Sequence, residues 1–384
     1  MKAPKLRFTE FHDEWQSFTL GNLTELSDGT HFTPNYKPSG IPFWSVETIT
    51  TNAPVKYISE EEYKEINKRC NPQKNDILIT RISSGINSLG VPKLVEWDTP
   101  FSIYVSVGLI KSSKLFDSNF LVEYIKTSTY KREFLSKSLL TASPKKINMN
   151  NLATTLVKLP SLREQKKLGN FFSLLEKKIQ LQQEKIDLLK EQKKGYIHKI
   201  FKQELRFKSA DDKPYPKWDN LLLNQVASIK TGDKNVKDNV ANGSYHFFDR
   251  SEDIKYLNEY SFNEEAIIYP GEGSRFLPRY FSGKYALHQR AYSIYNFKEN
   301  IIPKFIYYQL LLKNRHFLKF AVGSTVPSLR MQAFNTCNLQ IPCIEEQRVI
   351  TDFLCSLDKN ISLQEDKLTL LQSQKKYFMQ QMFI

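Results

Sequence analysis

The sequence predicts a mixed α/β protein in which two globular domains are separated by two long antiparallel coiled-coil helices, arranged as a pseudo-twofold cyclic internal repeat. Three observations predict it. A 43-residue segment occurs twice, both copies carry apolar residues with a 3.5-residue period, and the intervening segments are β-rich runs punctuated by turn residues.

Leu159 to Phe201 aligns without a gap on Ile341 to Phe383 at a constant offset of 182, with 16 of 43 positions identical. The identities include Pro160/Pro342, Glu164/Glu346, Gln165/Gln347, Gln182/Gln364 and Lys193/Lys375. A weaker match lies beyond the first copy: Leu205-Arg206-Phe207, then Trp218 and LLLNQVASIKTG, echo Leu6-Arg7-Phe8, then Trp15 and FTLGNLTELSDG. The stretch after the first helix therefore matches the stretch that begins the chain, so the order is cyclic and the termini are expected close together. The segments are domain one over 1–159, the first helix over 160–203, domain two over 204–341 and the second helix over 342–384.

Domain one is assigned its strands from runs such as DILIT (Asp76 to Thr80) and SIYVSVGLI (Ser102 to Ile110), and a helical patch from NFLVEYIKTSTYKREFL. The first helix places Leu168, Phe172, Leu175, Ile179, Gln182, Ile186, Leu189, Lys193, Tyr196 and Ile200 on one seam, with Ser161 and Glu164 fitting a capping box. Domain two repeats the β texture in AIIYP (Ala266 to Pro270) and AYSIYNF (Ala291 to Phe297). The second helix repeats the seam, polar interruptions included. Because one helix leads out of domain one and the other leads back, an antiparallel pairing is expected. Gln182 and Gln364 lie at the helix midpoints, where they would meet and fix the register.

The 384 residues carry a formal charge of +14. A surplus of this size favours a polyanionic partner, nucleic acid first, because Lys and Arg displace counterions from phosphates. Residues 163–201 contribute +5 and residues 345–384 contribute −1, so most of the surplus lies in the domains and the shared task of the helices is packing. No run of about 18 apolar residues and no signal-peptide pattern occurs, which makes a cytoplasmic protein the expectation. The four cysteines show no zinc-ligand spacing, so they are expected to be reduced structural thiols and no metal site is expected.

Candidate DNA contacts are polar or basic residues beside strand ends and turns. Arg reads guanine with two donors, Asn and Gln read adenine, and Lys mostly meets phosphate. In domain one these are Arg81, Ser83, Ser84, Lys145 and Lys146, with His31, Tyr36, Lys37, Trp44, Asn87 and Asn148 near them. In domain two they are Arg250, Arg275, Arg279 and Arg330, with Lys230, Lys234, Lys237, His246, Ser274, Gln289 and Arg290. Arg81 and Arg275 lead, because Arg81 follows DILIT and Arg275 follows AIIYPGEGS at comparable places.

No catalytic constellation is found. There is no Asn/Asp-Pro-Pro-aromatic motif to hold a flipped adenine and no G-x-x-x-x-G-K-[ST] phosphate loop. Asn71-Pro72-Gln73-Lys74 and Gly271-Glu272-Gly273 are plain turns.

A basic two-domain chain carrying LPSLREQKKLGNFFSLLEKKI and its copy IPCIEEQRVITDFLCSLDKNI, each opening a Gln/Lys-rich helix, resembles the specificity subunit of a type I restriction-modification enzyme. The most specific element is P-x-x-x-E-Q before a long helix, at Pro160 to Gln165 and Pro342 to Gln347. The resemblance covers nearly the whole chain. It implies two target-recognition domains, each reading half of a bipartite sequence in double-stranded DNA, and helices that set the spacing. It further implies two methyltransferase subunits and two motor-nuclease restriction subunits as partners. S-adenosylmethionine, ATP and Mg would be bound on those partners and no cofactor on this chain, which would be a non-catalytic subunit in host defence by DNA methylation. The alternative is a stand-alone coiled-coil architectural or regulatory DNA-binding protein.

Overall fold

In the computed structural model, which describes residues 3–51, 53–251 and 253–384, the chain forms two compact units. One is Met1–Gln183 with Asp366–Ile384, and the other is Glu184–Glu365. The long helices are Leu162–Phe201 and Ile344–Met382, each roughly 60 Å at about 1.5 Å per residue. Compactness thus divides the chain through the middle of both helices, not at their ends.

The first unit is built on a four-stranded antiparallel sheet in the order Leu26–Asp28, Val107–Ile110, Ile77–Thr80, Pro92–Leu94. Ile77-Leu78-Ile79-Thr80 is buried at every residue, which is why that strand reads as a continuous apolar run. A three-stranded sheet of Lys56–Ile58, Ile41–Trp44 and Ser102–Ile103 accompanies it.

The second unit has a six-stranded sheet in the order Ser228–Thr231, Ala291–Tyr295, Phe262–Pro270, Arg279–Leu287, Tyr245–Phe248, Lys255–Leu257. The edge strand and the two strands next to it keep one register in both units. Ile110 lies opposite Leu26 and Ile77, and Ile294 lies opposite Ile229 and Ile267. The start of each domain also pairs with its end, Gln16–Thr19 on Leu156–Leu159 and Asp219–Leu222 on Asn338–Ile341.

Each core takes in its helix halves. Phe172 and Phe383 are buried with Phe120 and Tyr124 in one, and Phe201 and Leu354 with Phe305 and Tyr308 in the other. Within each unit the head of one long helix runs antiparallel to the tail of the other. Phe171 meets Phe378 in the first, and Tyr196 meets Phe353 in the second.

The repeated Pro-x-x-x-Glu-Gln has a physical account. Gln165 donates from Nε2 to the Pro160 carbonyl (2.9 Å), while its Oε1 accepts from the Asp117 N–H (3.0 Å), which seats the helix start on the domain. Gln347 does the same with Pro342 and Ile302 (3.0 and 2.9 Å). Glu164 is buried and accepts two bonds from Arg7, as Glu346 does from Arg206. The capping box expected at Ser161 is half formed. Ser161 Oγ accepts from the Glu164 N–H (3.4 Å), but the Glu164 carboxylate is taken by Arg7.

Cyclic continuity is visible in a single bond. Leu205 N–H donates to the Lys199 carbonyl within continuous chain (3.1 Å), and Leu6 N–H donates to Gln381 at the same place in the other copy (2.9 Å). The polar interruptions of the seam are anchors. Lys193 pairs with Asp358 and stands 5.3 Å from the ring centroid of Tyr308, whose hydroxyl donates to Asp358 (2.5 Å). Lys375 pairs with Glu176 (2.5 Å) and Glu123 (3.3 Å). Burial pulls the Lys375 ammonium down, but these two carboxylates outweigh it and its pKa is raised. Gln182 is buried, and Gln364 is half-buried and donates to Asn360 (3.3 Å).

The four cysteines are free thiols, and burial pushes those of Cys70 and Cys337 up to about 11. Among the described residues no helix is long and apolar enough to cross a membrane, and no cluster of His, Cys, Asp or Glu could hold a metal ion.

Candidate nucleic-acid interface

In each unit two strands that flank a common antiparallel neighbour run the same way and end side by side. Leu26–Asp28 and Ile77–Thr80 end together in the first unit, and Ser228–Thr231 and Phe262–Pro270 in the second. A glycine follows the shorter strand in both. A Cβ on Gly29 would lie 2.0 Å from the Ile103 carbonyl oxygen, and one on Gly232 would lie 1.8 Å from that of Leu287, so neither position admits a side chain. The chain then leaves each sheet edge through turns that carry the polar residues.

In the first unit the strand ends hold an ionic cluster. Arg81 is buried, donating from Nη1 to Asp28 Oδ2 (2.9 Å) and the Val105 carbonyl (2.8 Å), and from Nε to the Ile147 carbonyl (3.2 Å). Asp28, also buried, accepts from Arg69 Nη2 (2.7 Å), and His31 Nε2 lies 3.1 Å from its Oδ2. Burial would raise the Asp28 pKa, yet the hydrogen bonds of Arg69 and His31 and the charge of Arg81 outweigh it and hold the carboxyl below its ordinary range. Arg81, which leads the expected contacts, is thus an internal clamp, while Arg69 and His31 are the exposed partners of Asp28.

Ser83 is buried and pairs with Lys145 in a two-residue bridge, and Lys146 pairs with Ile82. Both lysines are half-buried, whereas Ser84, Asn87 and Asn148 are exposed on the adjoining turns.

In the second unit the position of Arg81 is Gly271. The Leu329 N–H donates to the Gly271 carbonyl (2.8 Å) as Ile147 does to Arg81 (2.9 Å). Arg81 and Arg275 are therefore not equivalent. Arg275 is exposed on the turn four residues beyond Gly271. Next to Gly271, Glu272 accepts from Arg290 Nη1 (2.5 Å) and Arg250 Nη1 (3.4 Å).

Arg279 is half-buried and donates to the Ser251 carbonyl, and Arg330 is exposed at the start of a short helix. Asp249, beside Arg250, is buried. Burial would raise its pKa, but Lys255 and Ser251 hold it below the ordinary range. A cavity of about 460 Å³ opens here, lined by Glu272, Gln289, Arg290, Ser328 and Arg330 among others.

Asp28, Arg69 and the role of Glu272 were not among the sequence-derived contacts. The available signal was that the match of LSDG to IKTG stops at the obligatory glycine, which marks Asp28 as the residue entering that turn.

The two units share a frame but not its charges. The family described as "Type I restriction modification DNA specificity domain" matches residues 12–191 and again 215–373. The chain therefore belongs to the type I restriction-modification DNA specificity family, whose members supply DNA sequence specificity and are not themselves catalytic.

Among curated relatives it is similar to the MjaVIII specificity subunit of Methanocaldococcus jannaschii, 23% identical over 97% of this chain and 94% of that one. It is also similar to the EcoDI specificity subunit of Escherichia coli, 30% identical over 144 residues, which spans 36% of this chain and 31% of that subunit. The solved S subunit from M. genitalium shares the fold at a TM-score of 0.65 and 14% identity, covering 100% of this chain and 99% of that one. A chain from a structure on complex assembly and conformational transition of the type I R-M system matches at 0.55 and 14% identity, with 96% and 97% covered.

Proposed function

We propose that each unit reads one half of a bipartite target in double-stranded DNA, and that the long helices fix the gap between the halves and dock two methyltransferase subunits. Two restriction subunits complete the assembly, and S-adenosylmethionine, ATP and Mg belong to those partners. The observation that carries this reading is the duplication itself. One strand framework occurs twice with different polar residues at its strand ends, and each copy is bound to halves of the same two helices.

Two features favour docking of like partners. Leu174, Leu181 and Leu188 on the first helix, and Leu363, Leu370 and Tyr377 on the second, are exposed at seven-residue spacing, which suits apolar contact with a partner. Equivalent grooves also recur, beside Lys375, Lys376 and Met379 in one unit and beside Lys193, Lys194 and Ile197 in the other.

The test is reconstitution with methyltransferase subunits and sequencing of the methylated sites. We expect one motif with two specified halves and an unread gap. Exchanging residues 15–159 for another recognition domain should change one half only. Adding a heptad to both helices should widen the gap by about 10 Å, or about three base pairs. Tight DNA binding by the chain alone, with no modified motif in the reconstituted complex, would instead favour an architectural protein.

A further inference from the structure

At the strand ends each unit carries one covered carboxylate holding two exposed nitrogen-bearing side chains. Asp28 holds Arg69 and His31, whose side chains are 57% and 58% exposed while its own is 6% exposed. Glu272 holds Arg250 and Arg290, both 63% exposed, and is itself 13% exposed. The carboxylates occupy different positions of the shared frame. The counterpart of Asp28 is Thr231 and that of Glu272 is Ile82, so the arrangement was reached twice by different residues.

We infer that Arg69 with His31, and Arg250 with Arg290, are the base-reading side chains of the two units, and that Asp28 and Glu272 are positioning residues that hold them in one geometry. The inference rests on the DNA-reading function proposed above.

Three physical points support it. Long cationic side chains lose rotamer freedom when they engage a base, and a carboxylate that already fixes one guanidinium nitrogen reduces that cost. The contacts use only Nη2 of Arg69 and only Nη1 of Arg250 and Arg290. Among the described residues the other terminal nitrogen and Nε of each donate to no protein acceptor. In Arg250 and Arg290 the remaining Nε and Nη2 lie on one edge of the guanidinium and suit a pattern such as O6 and N7 of guanine, while Arg69 offers Nη1 for a single contact. Finally, each covered carboxylate orients the guanidinium it holds while offsetting one positive charge, which suits positioning better than simple attraction to phosphate. Arg81, by contrast, is 8% exposed and spends its donors internally.

The experiment uses the chain assembled with methyltransferase subunits and reads base choice at every position of the methylated motif. Arg69→Ala should relax discrimination by roughly 10-fold to 100-fold at one position in one half, and Arg290→Ala likewise in the other half. Asp28→Asn and Glu272→Gln should relax the same single positions as the arginines they hold and leave the other positions of that half unchanged, whereas a merely structural role would weaken every position of the half. Asp28→Asn also strips a buried ion pair, so the exposed-residue variants Arg69→Ala and His31→Ala decide the matter if it fails to fold.

Unchanged base choice in Arg69→Ala and Arg290→Ala overturns the inference. So does a uniform loss of affinity with a salt slope lower by about one, which would make them phosphate contacts. If the wild-type complex methylates no motif, the DNA-reading proposal falls and takes this inference with it.

Discussion

The strand ends of the two units differ more than their frameworks do. In the first unit the frame position after the central strand is Arg81, and a guanidinium buried there is neutralised by Asp28. In the second the same position is Gly271, where a Cβ would lie 1.6 Å from the Arg290 carbonyl oxygen, and the ionic cluster has moved one residue out to Glu272. One surface is therefore supported from inside by a buried ion pair, and the other by close backbone packing. The lesson is that this frame holds its geometry by backbone hydrogen bonds, leaving the side chains at the strand ends free to diverge.

The largest difference between the units is expected at Arg81. Arg81→Met leaves Asp28 covered with only its two exposed partners, and removing one member of a buried pair costs about 3–5 kcal/mol. Arg275→Ala, at an exposed turn, should stay within about 0.5 kcal/mol. Native-state hydrogen exchange can tell the units apart. Arg81→Met should lower protection in Leu26–Asp28 and Ile77–Thr80 and leave Ser228–Thr231 unchanged. Equal loss in both units would mean that the clamp is not local.

A smaller difference lies at the helix starts. Glu164 accepts from Arg7 (2.8 and 2.7 Å), whereas Glu346 accepts from Arg206 (3.0 and 2.7 Å) and from Trp218 Nε1 (2.9 Å). The equivalent Trp15 Nε1 has no hydrogen-bond partner among the described residues. Glu346→Ala should therefore cost about 1–2 kcal/mol more than Glu164→Ala, the value of the extra bond to a charged acceptor with its donor left buried. Denaturant melts of the two variants measure it, and equal costs would remove Trp218 from the account.

How much of the molecule is legible in the sequence depends on the spacing of the repeat. The 182 offset runs unbroken from the bridge at Lys146 and Ser328 through both helices, so the seam, the anchors Lys193 and Lys375 and the Glu-Gln motif could be read directly. Across the sheet the offset changes, from 203 at Leu26/Ile229 to 190 at Ile77/Ile267 and 184 at Ile110/Ile294. Loops of different length hid the equivalence of those strands, and matching Arg81 to Arg275 by apparent distance from a strand misplaced it by four residues. Asp28 and Arg69 were hidden for another reason, since they lie 41 residues apart and only the folded sheet brings them together.

The smallest expected effect is on acid stability, where the two units should weaken in the same direction. Asp28 in one and Asp249 in the other are both held below the ordinary aspartate range against the opposing effect of burial. A carboxyl depressed in the folded state stabilises fully above its unfolded pKa, and that contribution is lost as pH falls through the folded value. Hydrogen exchange followed from about pH 6 to about pH 3 should show both units weakening toward the acid end. Asp28→Asn should flatten that slope in the first unit only, and Asp249→Asn in the second only. The two losses leave different groups behind. Protonating Asp28 strands a buried guanidinium, while protonating Asp249 releases Lys255, whose side chain is 24% exposed and can turn to water. The acid slope should accordingly be steeper in the first unit, and a steeper slope in the second would contradict the assignment of Arg81 as an internal clamp.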